Sequence, residues 1–354
     1  MIGRLRRLFR WPVSAPATPC AITPETDRAS VQAAHSAASQ APSPFADTVL
    51  PVIPSTPPAY DAMAAWAERL EAVRALQQAD RNVADNPDAT ALMQLLAEGP
   101  ESVIRQLPAA ARNALSLCDD AGLSRTQLAA RLATDPSLVQ GLLRTANSAA
   151  FGGGCGPVLG IDQALHRIGV TGARAVVLAS CVDGLLSHPG GEYNAMASDV
   201  WSHMVRTAPL ARAVAQAFAA DPDEAFAIAL LHDVGKLVIF DRISTLRAAR
   251  RRSISLPVEF VHQLLQRLHE PLGAMAALQW GMGNRAAAAI GTHHRSATTP
   301  TRDSLAETIF VAEQADHAMR KSTPFDVDLL WTNGRLTGSP ARAAGALHQL
   351  LAAA

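Results

Sequence analysis

Residues 229–240 read ALLHDVGKLVIF, and they set an imidazole, a carboxylate and an ammonium inside a run of Leu, Val, Ile and Phe. A run of that kind belongs in a protein interior. There an ionised carboxylate must be paired, hydrogen-bonded or bound to a metal, or else lose its charge. The spacing predicts a helix on which Ala225, Ala229, His232, Asp233 and Lys236 share one face, with two small side chains beside three polar ones. Phe226, Ile228, Leu230 and Leu231 fall on the other faces. The helix is therefore apolar nearly all round and belongs at the centre of a bundle.

The whole chain has 354 residues, 49% of them hydrophobic. That is enough for a sizeable core and for two or three domains of about 100 to 200 residues each. Formal net charge is +0, which gives no long-range attraction to nucleic acid or to an anionic membrane. Cys20, Cys118, Cys155 and Cys181 lie far apart with no C-x-x-C pair, as expected in a reducing compartment. No apolar run approaches about 18 to 20 residues, and the N-terminus lacks the apolar block of a signal peptide, so a cytoplasmic location is expected.

Residues 1–11, MIGRLRRLFRW, alternate Ile2, Leu5, Leu8 and Phe9 with arginines, the pattern of a short basic amphipathic segment capable of weak membrane contact. Residues 12–58 are rich in Pro, Ala, Ser and Thr and read as a disordered linker. Over 60–99, Met63, Trp66, Leu70, Val73 and Leu76 recur at threes and fours, which predicts a lead-in helix. Ser124 with Gln127 forms a capping box, and Asp135 followed by Pro136 starts another helix. IDQALHRIGVTGARAVVLASCVDGLL, from Ile161, reads as a helix, a glycine turn and a second helix. Gly-rich FGGGCGP follows a helix and lacks a Gly-Lys-Ser/Thr ending, so it is a loop and not a phosphate cradle. The expected fold is an all-α helical bundle in two packed subdomains, 101–190 and 195–320, joined at SHPGGEYNAMAS, with a helical extension over 321–354.

The two capped helices in LSRTQLAARLATDPSLVQGLLRTAN imitate a helix-turn-helix. From Pro136 to Ser148, however, only Gln140, Arg144, Asn147 and Ser148 offer donors among Leu138, Val139, Leu142 and Leu143. A helix with that composition is committed to packing, and nucleic acid is not the expected partner.

Further histidines flank the opening stretch: His203 in VWSHMV, His269 in LHEPLG, and His293 with His294 in AIGTHH. Ala286, Ala289, Ile290 and His293 share a helical face, which again places small residues beside an imidazole. One histidine in a bundle is usually a hydrogen-bonded core or surface residue; five together with a His-Asp pair form a constellation. Imidazole and carboxylate suit manganese, iron, nickel or zinc, and one or two such ions activate water against a phosphoester.

The order of motifs resembles the HDOD domain, a helical relative of the HD phosphohydrolases found in bacterial signalling proteins. Leu107-Pro108, DPSLVQGLLRTANSAAFG, IDQALHRIGVTGARAVVLAS, ALLHDVGKLVIF and LGAMAALQWGM followed by GTHH carry the likeness. The domain it implies spans residues 100–320. By that resemblance His203 is the first histidine, His232 and Asp233 are the His-Asp pair, and His269, His293 and His294 are the later ligands. The closing acid falls on Glu313 in VAEQAD, with Asp316 three residues on. The resemblance implies a signalling module that acts on an unidentified protein partner without turnover. The alternative is a phosphohydrolase in which this set holds one or two divalent ions and Lys236 steadies a substrate phosphate. RSATTP follows His294 where the related HD-GYP group has Gly-Tyr-Pro, which disfavours cyclic di-guanylate as a substrate.

Overall fold

Acidic and amide side chains ahead of apolar runs start many of the helices. In the computed structural model, which describes residues 60–152, 156–186, 193–294 and 303–352, Asp61 accepts from the Ala64 N–H and Asn86 from those of Asp88 and Ala89. Asp135, Asp221 and Asp303 cap their helices in the same way. Each such cap satisfies backbone donors that have no partner within the helix. The segments expected at 1–11 and 12–58 lie outside the described residues, as does the SHPGGE part of the connection, residues 187–192.

The described residues are helical and contain no strand. The single helix expected over 60–99 is three: α1 (Ala62–Ala79), α2 (Arg81–Ala84) and α3 (Pro87–Ala97). Asp80 takes an extended backbone and caps α2, and Asn86 caps α3, so the chain is restarted twice. Next come α4 (Pro100–Val103), α5 (Ala109–Asp119), α6 (Arg125–Leu132), α7 (Pro136–Ala146), α8 (Ala149–Gly152) and α9 (Ile161–Leu186). After the connection come α10 (Tyr193–Val214), a 3₁₀ turn (Ala215–Phe218), α11 (Pro222–Ala229), α12 (Val234–Arg250), α13 (Val258–Gln279), α14 (Asn284–Gly291) and α15 (Ser304–Lys321). The C-terminal extension forms α16 (Val327–Gly334) and α17 (Pro340–Ala352).

The capping box on α6 is formed, and α7 packs on α9 with Leu138 and Leu142 buried. Gly169 at φ 71 breaks α9 where the glycine turn is expected. The stretch Ile161–Asp183 within α9 has the length and hydropathy of a membrane span, yet 56% of that window is buried inside the protein. Its Leu165, Ile168, Val177 and Leu178 belong to the core.

The core is tightest where α12 crosses α13. Leu237, Val238, Ile239 and Phe240 are buried on α12, and its second residue is Gly235. A Cβ at Gly235 would sit 1.9 Å from the His269 carbonyl oxygen of α13, and one at Gly273 would sit 2.8 Å from Ile290 Cγ2 of α14. Two glycines therefore let three backbones approach closely enough to bring residues 233, 269 and 293 together. Gly235→Ala is expected to push α12 and α13 apart at a cost of about 3 kcal/mol, at the upper end for overpacking because the obstacle is backbone. Equilibrium urea unfolding measures this, and a loss below about 0.5 kcal/mol would show that the crossing yields easily.

Candidate metal centre

The helix expected through residues 225–236 is interrupted. α11 stops at Ala229, a turn carries Leu230 to Asp233, and α12 begins at Val234. His232 Nδ1 lies 2.7 Å from the Ala229 carbonyl oxygen, and Asp233 has φ −98 and ψ 11, outside the helical range. The common helical face proposed for Ala225, Ala229, His232, Asp233 and Lys236 is therefore replaced by a corner between two helices. The corner sits at the centre of the bundle, with His232 and Asp233 both 0% exposed. His293 repeats the arrangement: it lies just beyond α14, so it leaves the face expected with Ala286, Ala289 and Ile290, and its Nδ1 is 2.6 Å from the Ile290 carbonyl.

A carbonyl can only accept, so both rings donate Nδ1–H and turn the lone pair of Nε2 inward. His203, from α10, is held in the same sense by a carboxylate: its Nδ1 is 2.8 Å from Asp316 Oδ2. The inward nitrogens meet acids. His232 Nε2 lies 3.2 Å from Glu313 Oε1, His203 Nε2 lies 3.5 Å from the same oxygen, and His293 Nε2 lies 3.8 Å from Asp233 Oδ1. His269 Nε2 is 3.7 Å from Asp233 Oδ1, and His294 Nδ1 is 3.7 Å from Glu313 Oε2. Lys236, on the first turn of α12, places Nζ 2.6 Å from Asp233 Oδ2. The structure thus gathers His203, His232, Asp233, His269, His293, His294 and Glu313 into one cluster, with Lys236 at its edge.

Two sets of four within it could each hold an ion: Asp233, His269, His293 and His294, and His203, His232, Asp233 and Glu313. The donor atoms of each set lie within 4.8 Å of one another. Donors about 2.2 Å from an ion are about 3.6 Å apart in a tetrahedral site and about 4.4 Å apart across a six-coordinate one, so the widest pairs have to draw in by about 0.4 to 1.2 Å. His232 Nε2, Asp233 Oδ1, both His269 nitrogens, His293 Nε2 and Glu313 Oε2 are buried with no hydrogen-bond partner among the described residues. His232 Nε2 and Glu313 Oε1 are close but are both acceptors once Nδ1 has donated, so the contact calls for a proton or a cation between them. The donor set fits a divalent ion.

Burial alone drives an imidazole towards neutrality, and it holds His269 well below its ordinary value, with Lys236 adding to the effect. His294 is brought down to about 4 by burial and then by His293. At His203 burial pulls the same way but is outweighed by hydrogen bonds to Asp316 and Glu313, which push it up to about 9. For Asp233, burial is overcome by Lys236 and then by His232, so its carboxyl stays well below the usual carboxylate range. Glu313 is held low as well, burial being overcome by His293 and then by His203 and His232, whose ring nitrogens face it.

Three supporting residues do not emerge from the sequence reading as supports. Asp316, the other candidate for the closing acid, stands behind His203 and is itself held by Arg206, whose Nε is 2.7 Å from Asp316 Oδ1. Arg206 is three residues from His203 on α10, which was the available signal. Glu270, beside His269, accepts from the His294 backbone N–H at 3.1 Å.

An all-helical bundle with a central His-Asp corner defines a domain of the HD type. The HDOD domain family matches residues 104–296, so the chain belongs to the HDOD family. A search of curated proteins finds no match. Among solved structures, a protein of Shewanella amazonensis SB2B named "Putative phosphohydrolase" has 22% identity and a TM-score of 0.53, covering 74% of this chain and 96% of its own. A second from the same organism, named "Putative metal-dependent phosphohydrolase", has 17% identity and a TM-score of 0.59, covering 75% and 98%. A "Putative signal transduction protein" of Marinobacter aquaeolei VT8 has 16% identity and a TM-score of 0.51, covering 83% of this chain and 64% of its own. At these identities the likeness is one of fold.

Asp316→Ala removes the carboxylate acceptor of the His203 Nδ1–H and leaves it only the Thr207 hydroxyl, 3.3 Å away. The variant is expected to lose about 1 to 3 kcal/mol of stability, read by urea unfolding. It should also bind divalent metal about 10-fold to 100-fold more weakly, as for other residues that orient a ligand. Unchanged metal affinity would mean that His203 is aimed by something else.

Proposed function

We propose that this HDOD domain holds one or two divalent ions at the cluster and hydrolyses a phosphoester of the nucleotide class there. The observation that carries the reading is the inward convergence of acceptor atoms, above all His232 Nε2 against Glu313 Oε1 at 3.2 Å. Asp233, which belongs to both sets, would bridge them. Manganese, iron, nickel and zinc all suit this donor set. Bound there, such an ion supplies an acidified water and polarises a phosphoryl oxygen.

The protein's own groups divide the remaining work. The carbonyls of Ala229 and Ile290 and the carboxylate of Asp316 fix three imidazoles, so the rings are already oriented and the donor atoms have only to draw in. Lys236, with a side chain 20% exposed, stands at the reachable edge with His203 and His294. From there its ammonium can leave Asp233 for a substrate phosphate and offset the charge that develops on it.

A second reading is a regulatory module that works by contact with a signalling protein and without turnover. The enclosure of the site favours it: His232, Asp233 and His293 are 0% exposed and His269 1%, so a bulky phosphoester meets only a narrow edge. In that case an ion would lock the bundle in the form that the partner reads.

Metal analysis of protein purified without chelator, followed by phosphate release from a panel of nucleotide phosphoesters, separates the two. Asp233→Ala is expected to abolish metal uptake and to lower phosphate release at least about 100-fold, the scale of losing a principal charge-stabilising group. Metal uptake with no phosphate released from any substrate would leave the contact reading. No uptake by the wild type would remove the phosphohydrolase.

A further inference from the structure

α1 lies outside the residues that match the HDOD family, yet it packs against α13 and α14, the helices that lead to His269 and His293. Trp66, Leu70 and Val73 bury its inner face. Just before it, the Tyr60 ring packs against Gly291, where a Cβ would come within 2.2 Å of the ring. From the same helix Arg69 reaches Glu270, Nη1 to Oε2, at 2.5 Å, and also donates to the Arg267 carbonyl at 3.3 Å. The other oxygen of Glu270 accepts the His294 backbone N–H at 3.1 Å and lies 4.0 Å from His293 Nδ1.

We infer that Arg69 is a positioning residue for the cluster, acting through Glu270 on the backbone of His294, so that a helix beyond the matched domain is a working part of the site. The inference rests on the metal-binding reading above for its consequence, though not for its geometry. The Glu270 side chain is only 6% exposed, and Arg69 is its one ion-pair partner of fixed positive charge among the described residues. A buried carboxylate stripped of its counter-ion is no longer held in place and swings away. That movement weakens its hold on the His294 N–H and frees a ring that belongs to one of the two ligand sets. Among the described residues, the set made of His203, His232, Asp233 and Glu313 has no hydrogen bond or ion pair to α1.

The test uses the full chain and two readouts, hydrogen exchange at the His294 amide and calorimetric titration with Zn²⁺ alone. Arg69→Ala is expected to lower His294 protection at least about 10-fold, as loss of a local hydrogen bond does, and to weaken one zinc-binding step about 10-fold. Arg69→Lys, which keeps the charge, should recover most of both. Val73→Ala thins the buried face of the same helix without touching the ion pair; it should lower the melting temperature and leave both readouts unchanged. Wild-type exchange at His294 in Arg69→Ala would overturn the inference. So would an equal loss in Val73→Ala, which would reduce α1 to a stabilising strut. If Arg69→Ala does not fold, Arg69→Gln keeps the aliphatic stem, removes the charge and is judged by the same two criteria. A wild-type chain that takes up no zinc would sink the metal reading, while exchange at His294 would still decide the role of Arg69.

Discussion

The carboxylate of Asp233, fully enclosed at the corner between α11 and α12, is the constraint around which the molecule is organised. A charge in that position has to be compensated from several directions. Lys236 does so from one helical turn away, and the ring nitrogens of His232, His269 and His293 stand 3.7 to 3.8 Å from the same carboxylate, where they can share a cation with it. The helices that bring His269 and His293 there can come so near only because glycine stands at positions 235 and 273. The sequence of the opening stretch therefore carries both the charge and the space that its neighbours need.

The two readings of function share this core. Acceptor atoms aimed at one another are held together by cations of some kind, and a proton and a divalent ion compete for the same lone pairs. His203, pushed up to about 9 by its acidic neighbours, shows how strongly the cluster draws positive charge.

Residue type made most of the candidate site legible: a His-Asp pair in an apolar run, and four more histidines on helical segments. Periodicity failed at 230–233 because it counts residues and cannot see a side chain closing off the end of its own helix. It failed again over 60–99, although Asn86 followed by Pro87 is a legible helix start. The choice between Glu313 and Asp316 was beyond the sequence, since residues three apart on a helix share a face. Only the placement of Arg206 and His203 on α10 decides which acid points into the cluster and which stands behind it. Arg69 and Glu270 are 201 positions apart, and no local pattern announces a pair at that distance.

The two imidazoles that donate to Ala229 and Ile290 are spaced alike, each ring three residues beyond the carbonyl it grips. Carbonyls in the last turn of a helix lack intrahelical donors, so each ring ends a helix in the same act that orients a donor atom. Chain length in these two short turns is consequently fixed. A one-residue insertion or deletion between 229 and 232, or between 290 and 293, would leave a carbonyl bare and turn a nitrogen away from the centre, even though every residue named in the site remained present.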